Sequence, residues 1–424
     1  MRYRASSSSA IWPYIALVLC FSSAALTFGI APGLRVPLLF LGFSFLTFLN
    51  FKKQPQSFEK NLHLFAGAFF YLFFFIAYGF FREQNTTDFF NVMFTGIAAG
   101  FFVNGVMWAG ASPRENFFQN GIKRFFNQLG LYLLLPLVLI LLLSTNEYSN
   151  YLKYSINLMG GGRELTLETG NPVGVAYANA IAAIVFLFIA LNAKGFLFKG
   201  VAFLGMLLSL FIVLSTASRG ASLFLILTSL LYFTYYIRTL QNEHNLQKIA
   251  KRIFIGGLAI LVLFSIYFFL QRENFLVLYD RVSVLFSRFS DVFNYFEGLN
   301  DDRSTGGRFE VYRYHLNYFS EWIIFGEKNY TPYPHNLFLE IIMRLGLIGF
   351  PLVFVFIYVN FKTFLNLFNK SFYKTIDWYF FSFLFFFSFL QSMTSLSLEI
   401  NRGIWISLGF LLAYKPLRHR QNFR

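Results

Sequence analysis

His335 stands in the stretch Tyr333-Pro334-His335-Asn336-Leu337, at the mouth of a long apolar segment. An imidazole with its ordinary pKa near 6.5 can take a proton from a hydroxyl at neutral pH, which is the work of a general base. A histidine that merely ends an interfacial helix is the plainer alternative. Pro334 signals a helix start, and from there Asn336, Glu340 and Arg344 recur every fourth residue as a polar stripe. Leu337, Phe338, Ile341, Ile342 and Leu345 fill the opposite arc. The pattern predicts an amphipathic helix in a membrane interface, with His335 in its first turn.

Two arginines offer chemistry that a histidine lacks. Arg219 lies in Ser215-Thr216-Ala217-Ser218-Arg219-Gly220-Ala221-Ser222-Leu223, a very short hairpin between apolar runs. A guanidinium so close to hydrocarbon either snorkels to the headgroups, pairs with a carboxylate or binds an anion. Arg308 follows Gly306-Gly307, which reads as a loop presenting a forked donor to phosphate, with Arg313 near enough to assist. A solvated charge paired with Asp301 or Asp302 is the alternative for Arg308. Arginine at both places suits bidentate contact with phosphate oxygens. Of the other histidines, His63, His244 and His419 fall toward the opposite side, and His315 sits in a Tyr-rich apolar helix. No HExxH, no DxD and no His–carboxylate cluster at ligand spacing is present, so neither a metal nor another cofactor is implied.

These residues must be carried by a membrane domain. The chain is 56% hydrophobic with 62 Phe, and only 13% of it is charged, about half the fraction usual in soluble proteins. The single cysteine, Cys20, allows no disulfide within the chain. Apolar runs long enough to cross a bilayer recur throughout, which predicts an all-α polytopic protein forming one transmembrane domain over 1–424. Twelve spans are expected, at 10–30, 33–51, 62–81, 88–109, 128–145, 172–192, 197–216, 220–238, 252–270, 346–366, 376–394 and 399–415. The first resembles a signal peptide but lacks a clear cleavage site, so its retention is expected.

Lysine and arginine set the orientation. They gather in alternate connections, and the short connections between those hold few: Arg35, Arg82, Lys153, Arg163, Arg219 and Arg402. Both termini are therefore expected in the cytoplasm. The net charge of +15 is then a mark of topology, and no nucleic-acid partner is implied. A large loop at 271–345, between the ninth and tenth spans, falls outside together with Arg308 and His335. The Gly160-Gly161-Gly162-Arg163 run lacks a phosphate-loop pattern and reads as an outside connection.

His335-Asn336, nine residues, Gly346, two residues and Gly349 match the H[NSQ]x9Gxx[GTY] signature of the bacterial O-antigen ligases. Arg219 through Leu223 resembles that family's R-x3-L motif, and the loop holding Arg308 resembles its large periplasmic loop. The resemblance implies an inner-membrane glycosyltransferase of lipopolysaccharide assembly with its active site facing the periplasm. Membrane lipids would surround it. It would move a glycan from undecaprenyl diphosphate to a hydroxyl on lipid A–core, without metal or nucleotide. His335 would be the general base, Arg219 and Arg308 would hold the diphosphate, and Arg313 and Asn336 would assist. Polymerases of O-antigen or exopolysaccharide share the superfamily and the lipid-linked donor. A glycolipid flippase is a reading from another class, disfavoured by spans nearly free of ionisable residues at mid-depth.

Overall fold

The computed structural model describes residues 20, 41–48, 61–71, 87–111, 172–192, 196–216, 218–241, 283, 285–287, 289–290, 303–326, 333–368, 372–373, 376–394, 401–414 and 417–418. Short helical stretches at 41–48 and Leu62–Tyr71 come first. The helices that follow are α1 (Thr87–Ala111), α2 (Pro172–Asn192), α3 (Phe196–Ser215), α4 (Arg219–Gln241), α5 (Arg303–Asn317) and α6 (Phe319–Trp322). Then come α7 (Leu337–Leu345), a 3-10 turn (Gly346–Ile348), α8 (Gly349–Phe368), α9 (Ile376–Ser392) and α10 (Arg402–Ala413). The all-α expectation holds but for two-residue strands, β1 (Phe372–Tyr373) and β2 (Leu417–Arg418), paired antiparallel. Helices fall on the expected spans at 88–109, 172–192, 197–216, 220–238, 346–366, 376–394 and 399–415. The expected spans at 128–145 and 252–270, and the glycine-rich connection at 146–171, lie outside the described residues.

The bundle is built around α9. A helix that is apolar on every side has to be enclosed on every side, and α9 is buried nearly throughout, from Trp378 to Ser392. Its aromatic side chains meet a different neighbour at each turn. Phe381 stacks on Phe410 of α10 at 4.2 Å and meets Trp108 of α1 edge-on at 5.0 Å. Phe380 lies 5.1 Å from Phe188 of α2, and Phe383 lies 4.7 Å from Tyr232 of α4. Hydroxyls inside this core bond back to their own helix, as Ser382 Oγ does to the Trp378 carbonyl at 2.7 Å.

Helices α1 and α10 pack with their backbones touching. A Cβ at Gly105 would strike the Ile406 carbonyl oxygen and lie 2.8 Å from the Phe410 nitrogen. Gly409 reciprocates against the Phe102 carbonyl. Close approach through glycine is how helices gain dispersion contact where no hydrophobic effect drives them together.

The outward faces are apolar. Helix α8 exposes Phe354, Ile357, Phe361, Phe364 and Phe368, and α4 exposes Leu223, Ile226, Leu227, Leu230 and Leu231. Stripes of this kind suit hydrocarbon and are rare against water. The helical run Leu337–Phe368 is long and apolar enough to cross a membrane. Its second part, α8, has 20 residues, which at roughly 1.5 Å each reach about 30 Å, the thickness of a bilayer core.

Candidate functional site

His335 does not lie in a helix. It sits one residue before the N-cap, with a left-handed backbone at φ 50°. Helix α7 begins three residues later than Pro334 suggests, because Asn336 is the better cap. The Asn336 side-chain oxygen accepts from the Phe338 and Leu339 amides at 3.0 and 3.1 Å. A non-glycine residue at positive φ is uncommon and is kept only where its surroundings enforce it. Tyr333 meets the His335 ring edge-on, with centroids 4.8 Å apart. Its hydroxyl donates to Glu340 Oε2 at 2.8 Å, and Glu340 pairs with Arg344 at 3.0 Å.

The polar stripe of α7 therefore does not face water, as the amphipathic pattern suggests. Glu340 is fully buried, like Leu337 and Ile341 on the apolar side. Its charge is neutralised by Arg344 one turn on, and its remaining lone pairs steady Tyr333. Residues at i and i+4 that can pair survive burial, and a carboxylate alone would not.

Arg308 departs from its expected setting in the same way. Gly306 and Gly307 lie within α5, so the guanidinium projects from a helix and not from a loop. Tyr312, one turn on, interacts with the Arg308 charge and with the Asn336 side chain. Burial pushes the Tyr312 phenol above its usual pKa, and Arg308 and Asn336 oppose that shift. The phenol thus stays protonated at neutral pH. Through Tyr312 the fold brings Arg308 beside the His335–Asn336 corner. Arg313 is on the exposed side of α5. His315 is buried, and its carbonyl accepts from Trp322 Nε1 at 2.9 Å.

Arg219 is the first residue of α4, after the short turn that the sequence implies. Gly220 beside it faces the end of α9, where a Cβ would lie 3.1 Å from Thr394 Oγ1 and 3.3 Å from Gln391 Oε1. Helix α7 packs on those same turns, with Phe338 and Phe389 rings 5.8 Å apart. The end of α9 is thus the common support of the arginine hairpin and the histidine corner. Leu223 points outward and is 41% exposed, so its place in the motif is on the apolar stripe of α4.

The two motif glycines have separate structural reasons. Gly346 has φ 60°, and a Cβ there would strike the Ile324 carbonyl and lie 2.7 Å from the Gly326 nitrogen. Gly326, at φ 80°, makes the matching approach to the Met343 and Arg344 carbonyls, and Leu347 N donates to Ile324 O at 3.2 Å. The segment after α6 thus crosses the end of α7 backbone against backbone. Gly349 leaves room for the Ile341 carbonyl, which a Cβ would meet at 2.8 Å. Gly346→Ala is expected to destabilise the protein by about 2–4 kcal/mol, since strain and collision act together. Thermal unfolding of the detergent-solubilised variant checks this, and an unshifted midpoint would contradict it.

Sequence reasoning missed Tyr312 and Tyr333. Their signal was available in spacing, one helical turn beyond Arg308 and two residues before His335. Among the described residues no group of His, Cys, Asp and Glu could hold a metal ion.

No curated protein matches the chain. The family model for O-antigen ligases does match, over residues 204–327. That segment contains Arg219, Leu223, Arg308 and Arg313 and ends before His335. The resemblance to the O-antigen ligase family is thereby shown, carried by this match over residues 204–327.

Proposed function

We propose that the protein is an O-antigen ligase-type glycosyltransferase of the bacterial inner membrane. It moves a glycan from undecaprenyl diphosphate to a hydroxyl on the lipid A–core acceptor, at a site facing the periplasm. The observation that carries this reading is the junction of α5 with α7. Tyr312 ties the helix of Arg308 to the residue next to His335, and the family match covers both arginines.

In this reading His335 takes the acceptor hydroxyl proton as the oxygen attacks the anomeric carbon. The carbon–oxygen bond to the carrier breaks as the new glycosidic bond forms, which inverts the anomeric centre. Negative charge grows on the departing diphosphate. Preplaced guanidinium groups at Arg219 and Arg308 stabilise it, and fixed donors of that kind are worth most where charge develops. Arg313, exposed on α5, and Asn336, already engaged as a cap, have supporting roles at most. No metal is needed, because the sugar–diphosphate bond supplies the driving force and arginine supplies the positive charge.

The test is transfer by the purified protein from lipid-linked glycan to lipid A–core, followed by gel shift, with and without chelator. Transfer that persists in chelator is the expected result. Lengthening of the carrier-linked glycan with no transfer to core would make the protein a polymerase. Loss on chelation with rescue by a divalent cation would overturn the metal-free mechanism.

A further inference from the structure

Among the described residues, His335 is the one residue other than glycine with a positive φ, at 50°. Such a backbone persists only where its surroundings hold it. A general base also has little tolerance, since a misplacement of about 1 Å can cost about 10²-fold in rate. A half-buried imidazole outside any helix therefore needs supports of its own. One is the Asn336 cap, which accepts from the Phe338 and Leu339 amides. That cap fixes the main chain after His335, but a side chain turns about its own bonds.

The ring itself is met by Tyr333. The two rings stand nearly perpendicular, at 85°, with centroids 4.8 Å apart, an arrangement that aromatic pairs prefer. Pro334 between them is buried. Its locked φ, and the extended backbone it favours at Tyr333, leave this segment few conformations. The Tyr333 ring is held at its far end as well. Its hydroxyl donates to Glu340 Oε2 at 2.8 Å, seven residues on. Glu340 is fully buried in the first turn of α7, and its Oε1 pairs with Arg344 at 3.0 Å. A hydroxyl bonded to a carboxylate is among the stronger hydrogen bonds. The bond from Tyr333 to Glu340 thus closes the chain around His335.

A phenylalanine would offer the imidazole the same ring, with no hydroxyl to anchor it. The hydroxyl is what fastens the ring to the buried ion pair. We propose that Tyr333 is a positioning residue of the transfer reaction. Anchored on Glu340, it holds the His335 imidazole in the orientation that receives the acceptor proton, and Glu340 and Arg344 act through it. The inference rests on the transferase reading above, in which His335 is the base. Its rival is purely structural, with the phenol serving only to satisfy a buried carboxylate.

The experiment uses the full-length protein and follows transfer from lipid-linked glycan to lipid A–core, or lengthening of that glycan if the wild type performs this instead. Tyr333→Phe keeps the ring and the Glu340–Arg344 pair. Its kcat should fall about 10-fold, with KM for both substrates within about 2-fold of wild type. In a His335→Asn background, followed at high enzyme concentration, the same change should cost less than about 2-fold, since the base that it positions is gone. An undiminished kcat in Tyr333→Phe, or an equal loss in both backgrounds, would overturn the inference and leave the transferase reading standing. Wild-type activity in His335→Asn, or a wild type that performs neither reaction, would overturn both. Should Tyr333→Phe not fold, the bond is removed from its other end, with both charges taken out together. Glu340→Leu with Arg344→Leu should then be at least about 5-fold slower than Glu340→Gln with Arg344→Leu, which keeps an acceptor for Tyr333. Equal rates in those two would overturn the proposal.

Discussion

Replacing His335 by asparagine is expected to lower transfer by 10²- to 10⁴-fold while the protein stays folded, the range usual for loss of a general base. Asparagine is the informative substitution because of the backbone. His335 holds φ 50°, and asparagine is among the few side chains that tolerate the left-handed region. A β-branched residue would instead damage the corner itself, and lost activity would then say nothing about proton transfer. His335→Asn leaves the Asn336 cap and the Tyr333–Glu340 bond in place but cannot accept a proton at neutral pH. Activity within 3-fold of wild type, measured by the transfer assay, would remove His335 from the mechanism. His335→Gly relaxes the backbone further, and the same loss there would exclude strain as the cause.

Arg219→Lys is expected to lower kcat/KM by about 10²- to 10³-fold, comparable to removing an oxyanion donor. The charge is kept, so a merely electrostatic role would survive the change. A lysine lacks the planar fork that grips two phosphate oxygens at once. Stability should be unchanged, because the first residue of α4 keeps its positive charge. Full activity in Arg219→Lys would count against bidentate binding. A collapse in the melting temperature would assign the residue to the bundle instead.

What could be read from the sequence was the helical class and the place of the helices at 88–109, 172–192, 197–216, 220–238, 346–366, 376–394 and 399–415. Those helices were legible because long apolar runs declare them, and the turn before Arg219 because two such runs nearly touch. The setting of Arg308 was not legible. Ser304-Thr305-Gly306-Gly307 reads as a loop, since each glycine costs a helix about 1 kcal/mol. A contact across the chain, such as that of Tyr312 with Asn336, leaves no trace in local composition. Arg402 was read as a charge that reports topology. The helix start beside it is held by Tyr177, whose hydroxyl accepts from Gly403 N across 226 residues. His335 was placed one turn too deep because Pro334 and Asn336 both signal a helix start and only one of them caps it.

The crossing of the segment after α6 over the end of α7 has a mechanical consequence. With Gly326 and Gly346 in backbone contact and Leu347 bonded to Ile324, the two strands of chain have no slack between them. Helix α8, in a run long and apolar enough to cross a membrane, continues from that crossing. A tilt of α8, such as a change in bilayer thickness imposes, is therefore carried through the knot to the histidine corner, and the membrane itself becomes a setting on how the site is held.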